Sequence, residues 1–226
     1  SFHDPALGDI TEEQVKEYTV QFQEMVGVEA DGNLDTKVIR EMQTMPRCGV
    51  KDYSTIEQQA AGVASWKNGM NITYFIESYV GGLSQADQND LIKLGWKQWS
   101  DVANLKFSQV ATKAQANIVI STGRGAGSQF DGPSGTLAWA YLPPQPNFTG
   151  QLLMRFDLDE TWIRNVTDRG ILYLNVATHE FGHLLGLAHS KQSKALMAPY
   201  YAVGITKPQA VDDIPRISSI YGAPVA

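Results

Sequence analysis

The segment HEFGHLLGLAH, residues 179–189, constrains this chain more than any other stretch. His179 and His183 stand four residues apart, so a helix through them projects both imidazoles from one face, where they can hold a single ion. Gly186 can end that helix with a positive φ, turning the chain and bringing His189 round as a third ligand. Three neutral imidazoles suit Zn²⁺ and leave a fourth position open for water. Glu180, next to His179, can face that water, take its proton and pass it to a leaving amine, which is the chemistry of peptide-bond hydrolysis. The bland alternative is a buried amphipathic helix with histidines placed by chance. It has to account for three of the chain's four histidines in eleven residues, leaving only His3 in the terminus without a role.

Composition excludes other classes. A formal charge of -6 and the lack of any basic run argue against a nucleic-acid partner, since phosphate binding needs clustered Lys and Arg. No run of about 18 apolar residues is present, so no membrane span is expected. With 226 residues, 43% of them hydrophobic, the chain can bury one full core and a small second one.

Val15, Tyr18, Phe22 and Val26 recur at helical spacing after Thr11, Glu12 and Glu13. A turn at Asp31-Gly32-Asn33 leads to a second helix capped by Asp35, with Val38, Ile39 and Met42 inward and Pro46 as its stop. Residues 49–65 read as a linker. Strands are expected at 71–79, 106–110, 116–122, 136–141 and 150–157. A long helix should open at Leu83-Ser84, with Leu91, Leu94, Trp99 and Val102 on one face. Two further helices are expected, one through 171–186 and one through 212–222, where Pro215 limits the start.

HEFGHLLGLAHS resembles the zinc-binding signature of metzincin peptidases, and Ser190 after the third histidine resembles the matrix metalloproteinase branch. ALMAPYY, 195–201, is similar to that family's methionine turn. The resemblance implies that Met197 lies beneath the zinc and that Pro199, Tyr200 and Tyr201 wall the pocket for the residue after the scissile bond. LSQADQNDLIKLGWKQWSDVANLKFSQV and DDIPRISSIYG match the family's first and last catalytic helices. PRCGVKD, 46–52, resembles the family's cysteine switch, with Lys51 where a proline is usual. A thiolate is a good zinc ligand, so Cys48 at the fourth position would keep water out and the enzyme latent. By the same resemblance Arg47 and Asp52 would pair to fix the loop. The implied fold is α+β: a catalytic domain with a twisted mixed five-stranded sheet and three helices over 66–226. A small all-α propeptide would precede it over 1–54, with an activation linker at 55–65. Cleavage within about residues 49–66, or oxidation of Cys48, would release the site, and no dibasic site is present.

The pattern breaks at one place. Matrix metalloproteinases usually hold a second, structural zinc through three histidines and an aspartate. The matching positions are Arg124, Ala126, Trp139 and Arg155, so that zinc is expected to be absent, with an arginine stacked on Trp139. By resemblance, Asp131, Gly132, Ser134, Asp157 and Glu160 keep a calcium set, the rival reading being a solvated acidic surface. Substrate should add a strand along TLAWAY, nearest Leu137, Ala138 and Ala140, with an apolar side chain in the main pocket. Sequons fall at Asn71, Asn147 and Asn165.

The expectation is a secreted, extracellular, monomeric zinc endopeptidase in its latent form. Its partners would be an extended protein or peptide substrate and an activating protease. With no hemopexin-like segment after residue 226, it would be of the minimal, matrilysin-like type. Two alternatives stand beside it: a cell-wall-binding protein, because the 11–45 module resembles small peptidoglycan-binding domains, and a catalytically dead metal scaffold, which would not need Glu180.

Overall fold

Thr11 caps the first helix, α1 (Glu12–Val26), in a reciprocal box with Gln14. The computed structural model describes residues 11–50 and 64–224, so expectations for Asp52, His3 and most of the linker lie outside the described residues. Asp35 caps α2 (Thr36–Thr44) through the Val38 amide, and Pro46 follows its end. Gln23, buried on α1, ties the intervening turn down: its amide donates to Asp31 at 2.7 Å and its carbonyl accepts from Gly32 at 2.8 Å. Tyr18 and Ile39 are exposed rather than inward. The inward face of α1 passes through Thr19, Phe22 and Gln23 instead, and that of α2 through Val38.

The remaining strands are β1 (Arg47–Cys48), β2 (Asn71–Ile76), β3 (Lys106–Gln109), β4 (Ile118–Gly123), β5 (Thr136–Ala140), β6 (Leu152–Asp157), β7 (Trp162–Ile163) and β8 (Ile171–Leu172). The main sheet runs β1-β5-β6-β4-β2-β3. Only the β5–β6 pair is antiparallel. The five expected strands are therefore present, and a sixth is added at the edge by Arg47–Cys48, pairing in parallel with β5. Two residues carry no periodicity, so this strand could not be read locally.

Helices α3 (Gln85–Ser100), α4 (Tyr173–Leu184) and α5 (Asp213–Tyr221) complete the larger unit. Leu94 is exposed, because the buried stripe of α3 runs through Gln88, Leu91, Ile92, Gly95, Trp96 and Trp99. α4 begins at Tyr173, after Ile171–Leu172 have paired with Trp162–Ile163. Pro215 sits in the first turn of α5, where its missing N–H costs little.

The core positions the site. Ile72, Ile118, Met154, Trp99 and Phe181 are almost wholly buried, each worth about 1.5–3 kcal/mol for an aliphatic or Phe side chain removed from water. Trp99 donates its indole N–H to the Thr178 carbonyl at 2.8 Å, fixing α3 to α4. At the other end of α4, Trp66 donates to Leu184 O at 2.7 Å and Tyr221 to Leu185 O at 2.9 Å, satisfying carbonyls the helix leaves open. α4 is thereby held at its middle and at its C-terminal end.

Candidate active site and metal centre

α4 carries His179, Glu180 and His183 on its buried surface. Gly182, between them, allows Met197 to press against the helix, since a Cβ there would collide with the Sδ and Cε atoms of Met197. Met197 is fully buried. Gly186 takes φ of 98° just past the helix and sends the chain back towards His189.

The imidazoles are oriented by main-chain carbonyls. Nδ1–H of His179 donates to Leu196 O and Nδ1–H of His183 to Leu187 O, both at 2.7 Å. A carbonyl can only accept, so Nδ1 carries the proton and Nε2 offers its lone pair. The Nε2 atoms of His179 and His183 are 3.2 Å apart, and those of His183 and His189 are 3.1 Å apart. Lone pairs facing one another at that distance repel unless a cation lies between them. A tetrahedral ion with nitrogens at 2.0–2.1 Å separates its ligands by about 3.3 Å. Burial, and then the crowding of His189 and His179 against any proton placed on it, push His183 well below the usual imidazole range, which keeps it neutral as a ligand must be.

Cys48 closes the set. Its Sγ lies 3.4 Å from Nε2 of His183 and accepts from the Val50 amide at 3.3 Å. The ligand atoms of Cys48, His179, His183 and His189 all lie within 4.8 Å of one another, making this a four-ligand donor set for a soft or borderline ion. Glu180 is fully buried beside it. Its two oxygens lack a partner at full hydrogen-bond geometry among the described residues, the Cys48 thiol being the polar group next to them. Burial pushes the carboxyl up to about 8, with the thiol pulling the other way. A cation among the imidazoles also favours the carboxylate.

The Cys48 segment is bonded on both sides. Arg47 N donates to Gly135 O and Gly49 N to Ala138 O, each at 2.7 Å, along the edge of β5. Across the segment Cys48 N donates to Pro199 O at 2.9 Å, and Tyr201 N to Pro46 O at 2.8 Å. The residues expected to receive substrate, Leu137, Ala138 and Ala140 on β5 and Pro199, Tyr200 and Tyr201 opposite, are thus brought together around β1. Phe22 of α1 packs edge-on against Tyr200, centroids 5.2 Å apart. The pairing expected of Arg47 falls on Asp52, outside the described residues.

A cavity of about 20 Å³, room for one water, opens beside His179, Glu180 and Cys48. Its lining includes Asn175, Val176 and Ile205, which the sequence reading missed. Asn175 and Val176 stand four and three residues before His179, so helical spacing alone places them on the same face. Asp213 was also missed. Buried on α5, it accepts from the amides of Leu196 (2.7 Å), Gln209 (2.8 Å) and Met197 (3.1 Å), holding the Met197 turn. Burial pushes its carboxyl up, while these three amides act the other way.

The acidic group is assembled too. Asp131 accepts from Thr136 N, and Asp157 from Asp159 N, both at 2.8 Å. Oδ2 of Asp157 and Oε1 of Glu160 are buried with no partner among the described residues. Burial first, then neighbouring carboxylates, raises both groups, although the Ser134 amide donates to Glu160. Ser134 and Gly132 occupy the positive-φ turn beside them. At the positions matching the second zinc, Arg124 pairs with Asp159 at 2.8 Å, and Arg155 lies over Trp139, 5.6 Å from the ring centre. Trp139 in turn donates to Ser128 O at 2.9 Å. The side chains at the four matching positions, Arg124, Ala126, Trp139 and Arg155, include no imidazole, carboxylate or thiol.

Residues 65–222 match the matrixin family. The chain is similar to interstitial collagenase of Bos taurus, 39% identical over 211 residues that make up 92% of this chain and 43% of that relative. It is similar to stromelysin-1 of Mus musculus, 36% identical over 215 residues, 91% of this chain and 43% of the relative. It also resembles the hatching enzyme of Paracentrotus lividus, 36% identical over 208 residues, 90% and 34% respectively. The chain spans less than half the length of these relatives. The match over residues 65–222, together with the converging imidazoles that lie within it, shows that this chain belongs to the matrixin family.

Proposed function

We propose that the protein is a latent zinc endopeptidase, divided into an inhibitory segment over 1–54, a linker over 55–65 and a catalytic domain over 66–226. The observation that carries this reading is the convergence of one thiol and three imidazole nitrogens within 4.8 Å beside a buried carboxyl. His179, His183 and His189 would hold the zinc, and Cys48 would fill its fourth position. Zinc bound there would supply Lewis acidity to a peptide carbonyl and acidify a water. Glu180 is the residue placed to take a proton from water and return it to the departing amine. Its burial excludes competing solvent, and Met197 and Asp213 keep the helix and turn in register.

Substrate would bind extended along β5, in the place Arg47–Cys48 occupies, hydrogen bonding to the groups that now serve the amides of Arg47 and Gly49. The apolar lining of Leu137, Val176 and Ile205 suits an apolar side chain. Oxygen ligands at Asp131, Asp157 and Glu160, with carbonyls near Gly132 and Ser134, suit calcium: two buried carboxylate oxygens without partners among the described residues mark the need for a cation. The Arg155–Trp139 and Arg124–Asp159 contacts stand where a second zinc would be held, so one zinc per chain is the reading. We infer that the protein acts outside the cell as a monomer on protein substrates after an activating protease cuts the linker. No helix among the described residues is long and apolar enough to cross a membrane.

Peptide cleavage before and after limited proteolysis, with and without a chelator, tests this. Activity that follows the cut and disappears with the chelator is expected. Activity insensitive to the chelator would overturn it.

A further inference from the structure

Two of the three imidazoles are placed by a helix, and the third is not. His179 and His183 lie within α4, whereas His189 stands on the irregular segment 187–190 that follows the Gly186 turn. A ligand on such a segment is placed by whatever fixes its peptide units. Leu187 N donates to Gly182 O at 3.0 Å and Ser190 N to Met197 O at 2.8 Å, which ties down the two ends. The peptide between Ala188 and His189 is held by a side chain instead: Nη2 of Arg216 donates to Ala188 O at 2.8 Å.

Arg216 lies on α5 and is itself held. Its Nη1 pairs with Oδ2 of Asp212 at 2.8 Å, four residues back. Asp212 occupies the N-cap position of α5, where an aspartate ordinarily accepts from a helix amide, yet its side chain makes no capping bond among the described residues. The carboxylate is turned to the guanidinium. The two side chains are 30% and 23% exposed, so both are largely shielded from water. The planar fork joins a carboxylate on one side to a carbonyl on the other, a geometry that a single ammonium matches less well.

The next residue of α5 acts on another imidazole. Asp213 accepts from Leu196 N, and Leu196 O is the acceptor for Nδ1–H of His179. The start of α5 therefore reaches two of the nitrogen donors by separate routes. Turning the Ala188–His189 peptide would swing the His189 Cα, and with it the imidazole whose Nε2 stands 3.1 Å from that of His183.

We propose that Arg216 is a positioning residue for the metal centre: its bond to Ala188 O holds the peptide that presents His189 as the third ligand. This rests on the reading of His179, His183 and His189 as the zinc ligands. Partners that orient a ligand without touching the metal are worth about 10–100-fold in metal affinity.

The test is a titration of the metal-free, uncut chain with Co²⁺ in competition with a chelator, read by visible absorption at a temperature where the metal-free chains are folded. Under that condition a loss of fold stability alone leaves the affinity where it was. Arg216→Met keeps the length of the side chain and removes its donors; Co²⁺ affinity should fall about 10–100-fold, and the absorption bands should shift and weaken. Arg216→Lys, which keeps a charged donor on a long stem, should recover part of the loss. Arg216→Gln repeats the measurement should methionine prevent folding. Affinity and bands equal to the parent's in the folded Met or Gln variant would overturn the role of Arg216. A parent chain that takes up no Co²⁺ with the absorption of a tetrahedral site is a different result, and would remove the zinc reading together with this inference.

Discussion

The Cys48 thiol stands 3.4 Å from Nε2 of His183, although 135 residues separate them in the chain. β1 produces that approach: four main-chain hydrogen bonds, one to Gly135 just before β5, one to Ala138 of β5 and two to the 199–201 segment, fix the backbone on either side of the sulfur. Tethering in this way raises the local thiol concentration far above that of a free thiol. Cys48→Ser is therefore expected to hydrolyse peptide without processing, as an uncut chain. A purified variant as silent as the parent would remove the thiol from the account.

Glu180→Gln keeps the shape of the side chain and removes its capacity to accept a proton. Zinc content should be unchanged while turnover of the processed enzyme falls by about 10²–10⁴-fold. Equal turnover at equal zinc content would assign the proton transfer elsewhere.

Phe22 and Tyr200 link the helical module to the pocket wall. An edge-on aromatic pair is worth about 0.5–1.5 kcal/mol beyond its buried area. Phe22→Ala should raise the peptide cleavage of the uncut chain and shorten the protease exposure needed to activate it. An unchanged activation time course would show that β1 holds the segment by itself.

Asp157 and Glu160 provide a pH test. Burial and mutual repulsion raise both above the ordinary carboxylate range. The folded chain then holds protons that the unfolded chain has released, so without a cation these groups cost stability as pH rises from near 4 through their folded pKa. Calcium replaces those protons, and the gain in Tm on adding calcium should be larger at pH 7 than at pH 5. A gain that is the same at both, or none, would contradict a calcium site here.

His179, Glu180 and His183 were legible because one helix fixes their spacing, and His189 because Gly186 marks the turn. Cys48 was legible only through its motif, since no local pattern shows that Arg47–Cys48 becomes a strand on β5. Asp213 was missed for a related reason: nothing near it in sequence says that its carboxylate will gather the amides of Leu196, Met197 and Gln209. Leu94 and Tyr18 fit a three-to-four spacing, which predicts them inward. The tertiary contacts of α3 and α1 instead select the stripes through Trp96 and Thr19. Asp213→Asn, which replaces an acceptor oxygen with a donor amide facing N–H groups, should cost about 2 kcal/mol or more. Thermal unfolding with unchanged Tm would show that the turn holds without it.

Metal analysis should find one zinc per chain, and Trp139→Ala should leave that count alone. Two zinc ions would mean that the arginines at 124 and 155 do not stand in for a metal.

The central claim is that one sulfur and three imidazoles share an ion. X-ray absorption at the zinc edge of the uncut protein measures this most directly. The account expects one sulfur at about 2.3 Å with three nitrogens at about 2.0–2.1 Å, the sulfur being replaced by a light atom once the linker is cut. A shell of nitrogen and oxygen alone in the uncut protein would contradict it.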